Sequence, residues 1–420
     1  MTDPIAMPPL LFINASLVDG LDDRAREGFS VLVENGLIAE VRAGRVAAKG
    51  ARVVDLAGKT LMPGLVDCHV HVIATSANLG ANALAPDSLV AARSGAIMRG
   101  MLMRGFTTVR DVGGADLGLK IAVDEGSFEG PRLVICGKAL SQTGGHNDYR
   151  GPFDDRDSQY TSRRLGAMGR LCDGVDEVRR ACRQEIKAGA QFIKIMANGG
   201  VSSPSDPIAF LGFSMSEMEA AVEEARNAQT YVSAHLYTDE AIARAVRAGV
   251  RSLEHCNLIA PATASMAAKA GAMACPTLVT FEMLKKEGAD YGLPPESIAK
   301  IDDVRLAGLK SLEIMRDAGL PMAYGTDLLG PMHRHQSEEF VIRAGVLSAR
   351  DAIRSATAEA AKLLRMEGEI GCIAKGAYGD LIVVDGDPLE NIRLLTGQGR
   401  HMPMIVKGGR VVKDRLASAD

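Results

Sequence analysis

Paired cysteines are missing from this sequence. Its seven cysteines, at positions 68, 136, 172, 182, 256, 275 and 372, are scattered, odd in number and nowhere spaced as CxxC. That excludes a disulfide framework and reads as reduced thiols in a cytoplasmic protein. Long apolar runs are missing too. No stretch reaches the roughly 18 consecutive apolar residues of a membrane-spanning helix. The segment from Met1 to Pro9 lacks a basic stretch followed by an apolar one, so no secretory leader is expected. No charge of one sign dominates: the net charge is −4 over 420 residues, which gives no reason to expect nucleic acid or an acidic membrane as a partner. Internal repeats and low-complexity tracts are absent as well. What remains, 47% hydrophobic and 24% charged residues, is ordinary for a soluble globular enzyme. The length suits two or three domains, or one α/β barrel with an addition.

Residues 10–60 read as short β elements, Leu10–Asn14, Phe29–Val33, Leu37–Val41 and Val53–Leu56, separated by Asp-Gly, Asn-Gly and Ala-Gly turns. The C-terminus has the same texture, at Asp380–Asp385 and Met404–Val412. Neither end holds enough strands for a stable sheet by itself. The two are expected to pair into one small β-sandwich domain, residues 1–61 with 366–420. Between them, over 62–365, strands alternate with amphipathic helices. The candidate strands are Gly64–Val72, Phe106–Val112, Arg132–Cys136, Phe192–Ala197, Tyr231–Leu236, Arg251–His255, Ala272–Pro276 and Pro321–Gly325. Helical segments such as Ser88–Arg104, Val175–Ala188, Asp239–Ala248 and Ile298–Ala318 lie between them. The pattern predicts an α/β fold, a (β/α)8 TIM barrel, with its active site at the C-terminal strand ends.

The first barrel strand carries Asp67-Cys68-His69-Val70-His71 after a Pro63-Gly64 break. Side chains two apart on a strand share a face, so two imidazoles can converge on one ion, such as zinc. An HxH alone is weak evidence, but other polar residues fall into register with it. Lys194 alternates with Ile193 and Ile195 and so points into the barrel, where a lysine is rarely buried without a partner. His235 ends the fifth strand, His255 the sixth, and Asp327 follows the eighth.

This ordered set resembles the amidohydrolase superfamily with a two-metal centre. The matching motifs run from Pro63 to His71, from Phe106 to Asp111, and through Ile193-Lys194-Ile195, Ser233-Ala234-His235, Leu253-Glu254-His255 and Gly325-Thr326-Asp327. Finer features resemble the metallo-dipeptidases and carboxypeptidases that include Xaa-Pro dipeptidases (prolidases). These are Gly144-Gly145-His146, the loop from Asn198 to Pro207, His235-Leu236-Tyr237 and Gly330-Pro331-Met332-His333. The resemblance implies two divalent ions, expected to be zinc. His69, His71 and Asp327 would hold one, and His235 and His255 the other. Lys194, carboxylated on its amine, would bridge them. A carbamate suits that place better than a lysine cation, which two ions would repel. The implied chemistry is attack of a metal-bridging hydroxide on an amide, with Asp327 moving the proton. The implied substrate is a small molecule, an Xaa-Pro or similar dipeptide or an N-acyl amino acid, and the enzyme is expected to be a homo-oligomer.

Tyr237 and His146 are candidates for holding substrate. Arg110, after the second strand, could meet a substrate carboxylate or Asp111. His333 and His335 form a second HxH in a loop, expected not to bind metal, and His401 is expected to be structural. Two other functions fit the fold: a one-metal cyclic deaminase and an inactive scaffold. A deaminase of this superfamily lacks the bridging lysine and often carries His-x-x-Glu after the fifth strand, which His235-Leu236-Tyr237-Thr238 is not. An inactive relative loses ligands, whereas all six are present here.

Overall fold

Strands built from both ends of the chain form one sheet. The computed structural model describes residues 8–22, 24–203 and 206–416. Met1–Met7 of the segment read for a leader, and Pro204 and Ser205 of the loop that follows Asn198, lie outside the described residues. The strands in chain order are β1 (Leu10–Leu17), β2 (Arg26–Glu34), β3 (Leu37–Ala43), β4 (Arg52–Asp55), β5 (Thr60–Pro63), β6 (Leu65–Val70), β7 (Phe106–Asp111), β8 (Arg132–Ile135), β9 (Ala139–Ser141), β10 (Gly169–Leu171), β11 (Ile193–Met196), β12 (Val232–Thr238), β13 (Ser252–Leu258), β14 (Met273–Cys275), β15 (Leu381–Val384), β16 (Met404–Lys407) and β17 (Arg410–Asp414).

The sheet of both termini runs β17-β16-β15-β5-β1-β2-β3, with β4 also on β1. Its seam is antiparallel, with Leu381 opposite Pro63 and Val384 opposite Thr60. By hydrogen bonds it is a single eight-stranded sheet. β1 makes that possible by changing partner along its length. It pairs β4 over Leu10–Ile13 and β5 over Ser16–Leu17. Between them Asn14 takes a left-handed φ of 55°, a conformation asparagine tolerates, and its amide donates to both Asp55 oxygens at 2.9 and 3.0 Å. Leu10, Phe12, Leu17, Val31, Leu61, Leu381 and Val383 bury their side chains in the core of this sheet.

The middle of the chain gives two parallel sheets, β6-β7-β8 and β10-β9-β11-β12-β13-β14. The ladder does not run continuously round a ring. The eighth expected strand, Pro321–Gly325, makes a single bridge, Met322 with Ala274. Pro321 has no N–H to offer a ladder, and the Tyr324 N–H turns aside to Ser355 O. The segment still spans its seam, because Ala323 N donates to Ala274 O (2.8 Å) and Tyr324 O accepts from Cys68 N (2.7 Å). At the other seam Gln191 reaches across, its backbone N–H donating to Ile135 O and its side-chain oxygen accepting from Ile135 N. The short β9 and β10 were not expected. They widen the connection after β8, where a strand of three residues leaves no periodicity to read. The expected helix Ile298–Ala318 is two, Pro295–Arg305 and Gly308–Asp317. All seven cysteines are free and buried. Among the described residues no helix is long and apolar enough to cross a membrane.

Gly64 joins the terminal sheet to β6, its N–H donating to Asp380 O at 2.8 Å. A Cβ there would lie 2.1 Å from Thr107 Oγ1 and 2.8 Å from Thr107 Cβ. Threonine is β-branched and stiff, so the neighbour cannot yield cheaply. Gly64→Ala is expected to lower unfolding free energy by about 1–3 kcal/mol, read from denaturant midpoints. An unchanged midpoint would show that the strand junction has slack.

Candidate metal centre and substrate cavity

Hydrogen bonds at the far side of the His69, His71 and His235 imidazoles fix which nitrogen is free. His71 Nδ1 faces Gly113 O at 3.1 Å and His235 Nε2 faces Gly199 O at 3.2 Å. A carbonyl only accepts, so both nitrogens carry the proton. His69 Nδ1 lies 2.7 Å from Glu254 Oε2, and His255 Nδ1 lies 2.7 Å from Thr277 Oγ1. The opposite nitrogens then point inward. Nε2 of His69 and of His71 lie 3.4 and 3.1 Å from Asp327 Oδ1. Nδ1 of His235 lies 2.9 Å from Nε2 of His255. Donor atoms of His69, His255 and Asp327 all fall within 4.8 Å of one another. Inward nitrogens held by outward hydrogen bonds are the arrangement of metal-ligating histidines.

Lys194 comes up from β11 into the same cavity. It is 1% exposed, and its Nζ finds no hydrogen-bond partner among the described residues. Burial pulls its pKa down, which favours the neutral amine. Burial likewise pulls His235 and His255 well below the usual histidine range. Burial would raise the Asp327 carboxyl, but His69 and His71 outweigh it and hold that carboxyl well below its ordinary range. His255 and Asp327 have left-handed φ values of 67° and 53°, a strain of order 1–3 kcal/mol each that is usual at functional positions.

Glu254 went unread in the sequence. It is fully buried, and its Oε1 accepts from Arg110 Nη2 (2.8 Å), Ser233 Oγ (2.6 Å) and Ser252 Oγ (2.5 Å) while Oε2 holds His69. Burial would raise this carboxyl too, but Arg110, Lys194 and His69 hold it ionised. Neighbours on a regular strand face opposite ways. The left-handed backbone at His255 lets both residues serve the site, and nothing in the local sequence signals that turn. Arg110 requires a correction. It does not stand at the rim for a substrate, nor does it pair with Asp111. It is fully buried, donating to Cys68 O, Ser252 Oγ and Glu254. Asp111 instead accepts the backbone N–H groups of Val72, Gly113 and Ala115. Asp67 also faces inward, accepting from Thr326 Oγ1 and Gln336 Nε2.

His146 stacks on His235 with centroids 4.3 Å apart. Its Nδ1 lies 2.9 Å from Ser203 Oγ, which also bonds Asp206, and 3.4 Å from Asp206 Oδ2. Serine and aspartate thus share one nitrogen, so this is no nucleophile triad, in which they sit on opposite nitrogens. Gly200 makes the room, since a Cβ there would fall 1.7 Å from the imidazole. Lys300 ties the loop down, donating to Gly200 O (2.6 Å), Ser203 O (2.7 Å) and Asp206 O (3.2 Å). Tyr237 packs edge-on to His235 at 4.6 Å, and burial raises its phenol pKa, so it stays protonated. His333 is buried against Ala74 O and His335 pairs with Glu287, so neither joins the cluster. The cavity encloses about 30 Å3, with Asn147, Tyr149, Met168, Phe281 and Leu329 in its wall.

The amidohydrolase family matches residues 60–412. The chain is 32% identical to an ochratoxinase of Aspergillus niger over 364 residues, 84% of this chain and 75% of that protein. Among solved structures, a prolidase complexed with N-methylphosphonate-L-proline is 48% identical with a TM-score of 0.95, covering 97% of this chain and 100% of that one. A Xaa-Pro dipeptidase with methionine bound in its active site is 29% identical with a TM-score of 0.85, covering 96% and 100%.

Arg110→Met leaves Glu254 charged and buried without its counter-ion. The expected loss of unfolding free energy is about 3–5 kcal/mol, measured by chemical denaturation. Wild-type stability in this variant would show that Arg110 is not the buried partner described.

Proposed function

Since the chain belongs to the amidohydrolase family, we propose that it is a two-metal hydrolase of amide bonds acting on Xaa-Pro or similar dipeptides or N-acyl amino acids. The observation that carries the reading is the Lys194 amine, buried and without a partner in a cavity lined by His69, His71, His235, His255 and Asp327. His69, His71 and Asp327 would hold one ion, and His235 and His255 the other. Lys194, carboxylated on Nζ, would join them, and zinc suits nitrogen and carboxylate donors. Divalent ions bound there supply Lewis acidity, which activates water near neutral pH and polarises a carbonyl.

The chain's own residues supply the rest. Asp327 is ionised and can take a proton from the attacking water, then hand it to the leaving amine. Tyr237 keeps its phenolic proton and can donate to the oxygen on which negative charge develops. His146, its ring held by Ser203 and the His235 stack, is set to meet the substrate's free carboxylate. Glu254 orients His69. The resemblance to a prolidase and to a Xaa-Pro dipeptidase supports the substrate class. The division into a terminal β domain (1–61 with 366–420) and a hydrolase barrel (62–365) belongs to the same proposal, supported by the β5–β15 seam.

Protein purified without chelator should contain close to two divalent ions per chain by elemental analysis. Lys194→Ala should lose the bridge, one or both ions and most turnover, with partial recovery on adding a short carboxylic acid. A value of one or fewer ions, unchanged by added zinc and bicarbonate, sinks the two-metal reading. So does full turnover and metal content in Lys194→Ala.

A second test concerns the free carboxylate. A charged hydrogen bond contributes about 1.5–3 kcal/mol. Amidating the substrate's carboxylate should therefore lower kcat/KM roughly ten- to a hundredfold. His146→Ala and Tyr237→Phe should each hurt the free acid more than the amide. Equal rates on acid and amide would point to a neutral amide substrate instead.

A further inference from the structure

β12 outruns its neighbour. Its ladder to β11 ends at the pair Met196 and His235, yet the strand continues to Thr238. On the other flank its register with β13 slips between Leu236 and Thr238. Tyr237 therefore stands where the sheet no longer dictates its position. A side chain takes the ladder's place. Asn198 Oδ1 accepts from Tyr237 N at 2.7 Å and from Thr238 N at 2.8 Å.

The other end of the same amide holds a different segment. Nδ2 donates to Ile208 O at 2.8 Å and to Phe210 O at 2.6 Å, and Gly199 N joins it on Phe210 O at 2.7 Å. These bonds close the loop after β11 back onto its own start. That loop carries Ser203 and Asp206, the two residues at His146 Nδ1. An asparagine amide has two N–H hydrogens and two oxygen lone pairs. With carbonyls at one end and N–H groups at the other, only one orientation satisfies it, and a fully satisfied buried network specifies a single arrangement. Asn198 is buried, so water does not compete for these partners.

We propose that Asn198 is the positioning residue shared by Tyr237 and His146. Its oxygen sets where the Tyr237 phenol stands, and its nitrogen sets the loop that seats the His146 ring. A misplacement of about 1 Å in a group that holds substrate costs of order a hundredfold in rate, so a side chain outside the cavity wall can govern turnover. The inference rests on the amide-hydrolase reading above and assigns the residue that keeps its two substrate-holding groups in place.

Asn198→Asp separates the two halves at constant size. The new side chain still accepts from Tyr237 and Thr238, but it offers the Ile208 and Phe210 carbonyls at most one hydrogen, and none when ionised. In the metal-loaded full chain, hydrogen exchange at the Tyr237 and Thr238 amides should stay slow in this variant, while exchange at Gly199 should rise about tenfold, the effect of one lost hydrogen bond. Asn198→Ala should speed both. The kinetics should split in the same way. In Asn198→Asp the ratio of kcat/KM on a free-acid substrate to that on its amide should fall several-fold, toward the His146→Ala value, with kcat on the amide within about threefold of wild type. Asn198→Ala should lower kcat on the amide about tenfold or more as well. A merely structural asparagine would lower acid and amide alike in both variants and speed exchange throughout the chain, and that result overturns the proposal. So do wild-type exchange and kinetics in Asn198→Ala. Should Asn198→Ala fail to fold, the split in Asn198→Asp decides alone. Failure to hydrolyse any dipeptide or N-acyl amino acid would remove the amide-hydrolase reading, and exchange at Tyr237 and Gly199 would still decide the brace.

Discussion

Everything around the histidine cluster depends on one buried ion pair. Arg110 and Glu254 are both fully excluded from water, where an unpaired charge is prohibitively costly. Each therefore fixes the ionisation of the other. Glu254, kept anionic, grips the Nδ1 proton of His69 and turns that ring's remaining nitrogen toward Asp327. Ser233 and Ser252 complete the shell around the carboxylate, so its position is set from β12 and β13 as well as from β7. A pair made for stability alone is replaceable by apolar residues at little cost. Here it also decides the tautomer of a histidine, which an apolar pair cannot do.

How much of this was legible in the sequence depends on whether a residue's role follows from periodicity. His69 and His71 fall on alternate positions of a buried strand, and Lys194 alternates with isoleucines, so their convergence could be read directly. The terminal strands were legible for the same reason, since their turns carry glycine at the positions where it is needed. Arg110 shows the limit. Its place at the end of β7 suggested the rim, but its long side chain runs across to Ser252 and Glu254 on β13, a direction alternation does not encode. Glu254 was hidden because the role of its neighbour needs a left-handed φ at His255, which histidine adopts only when tertiary packing demands it.

The loop after β11 illustrates how small residues and one long one share a task. Gly199 and Gly200 allow close approach: a Cβ on the first would meet Pro207 O at 1.8 Å, and on the second the His146 ring. Glycines of this kind leave a loop soft. Lys300, from the helix Pro295–Arg305, restores stiffness by bonding three carbonyls at once. His146 thus owes its place in part to a residue far along the chain.

The seam between β5 and β15 has a consequence for how the molecule is made. Pro63 and Leu381 stand opposite one another yet emerge from the ribosome with both parallel sheets between them. Until the last strands appear, β5 is an uncovered sheet edge, with backbone groups free to pair with any other extended chain. Contacts so distant in sequence form slowly, because a long loop must close first. The terminal sheet is therefore the last part of the molecule to be sealed. A nascent or truncated chain lacking β15 to β17 would carry every residue of the histidine cluster and an open edge beside it, vulnerable to aggregation.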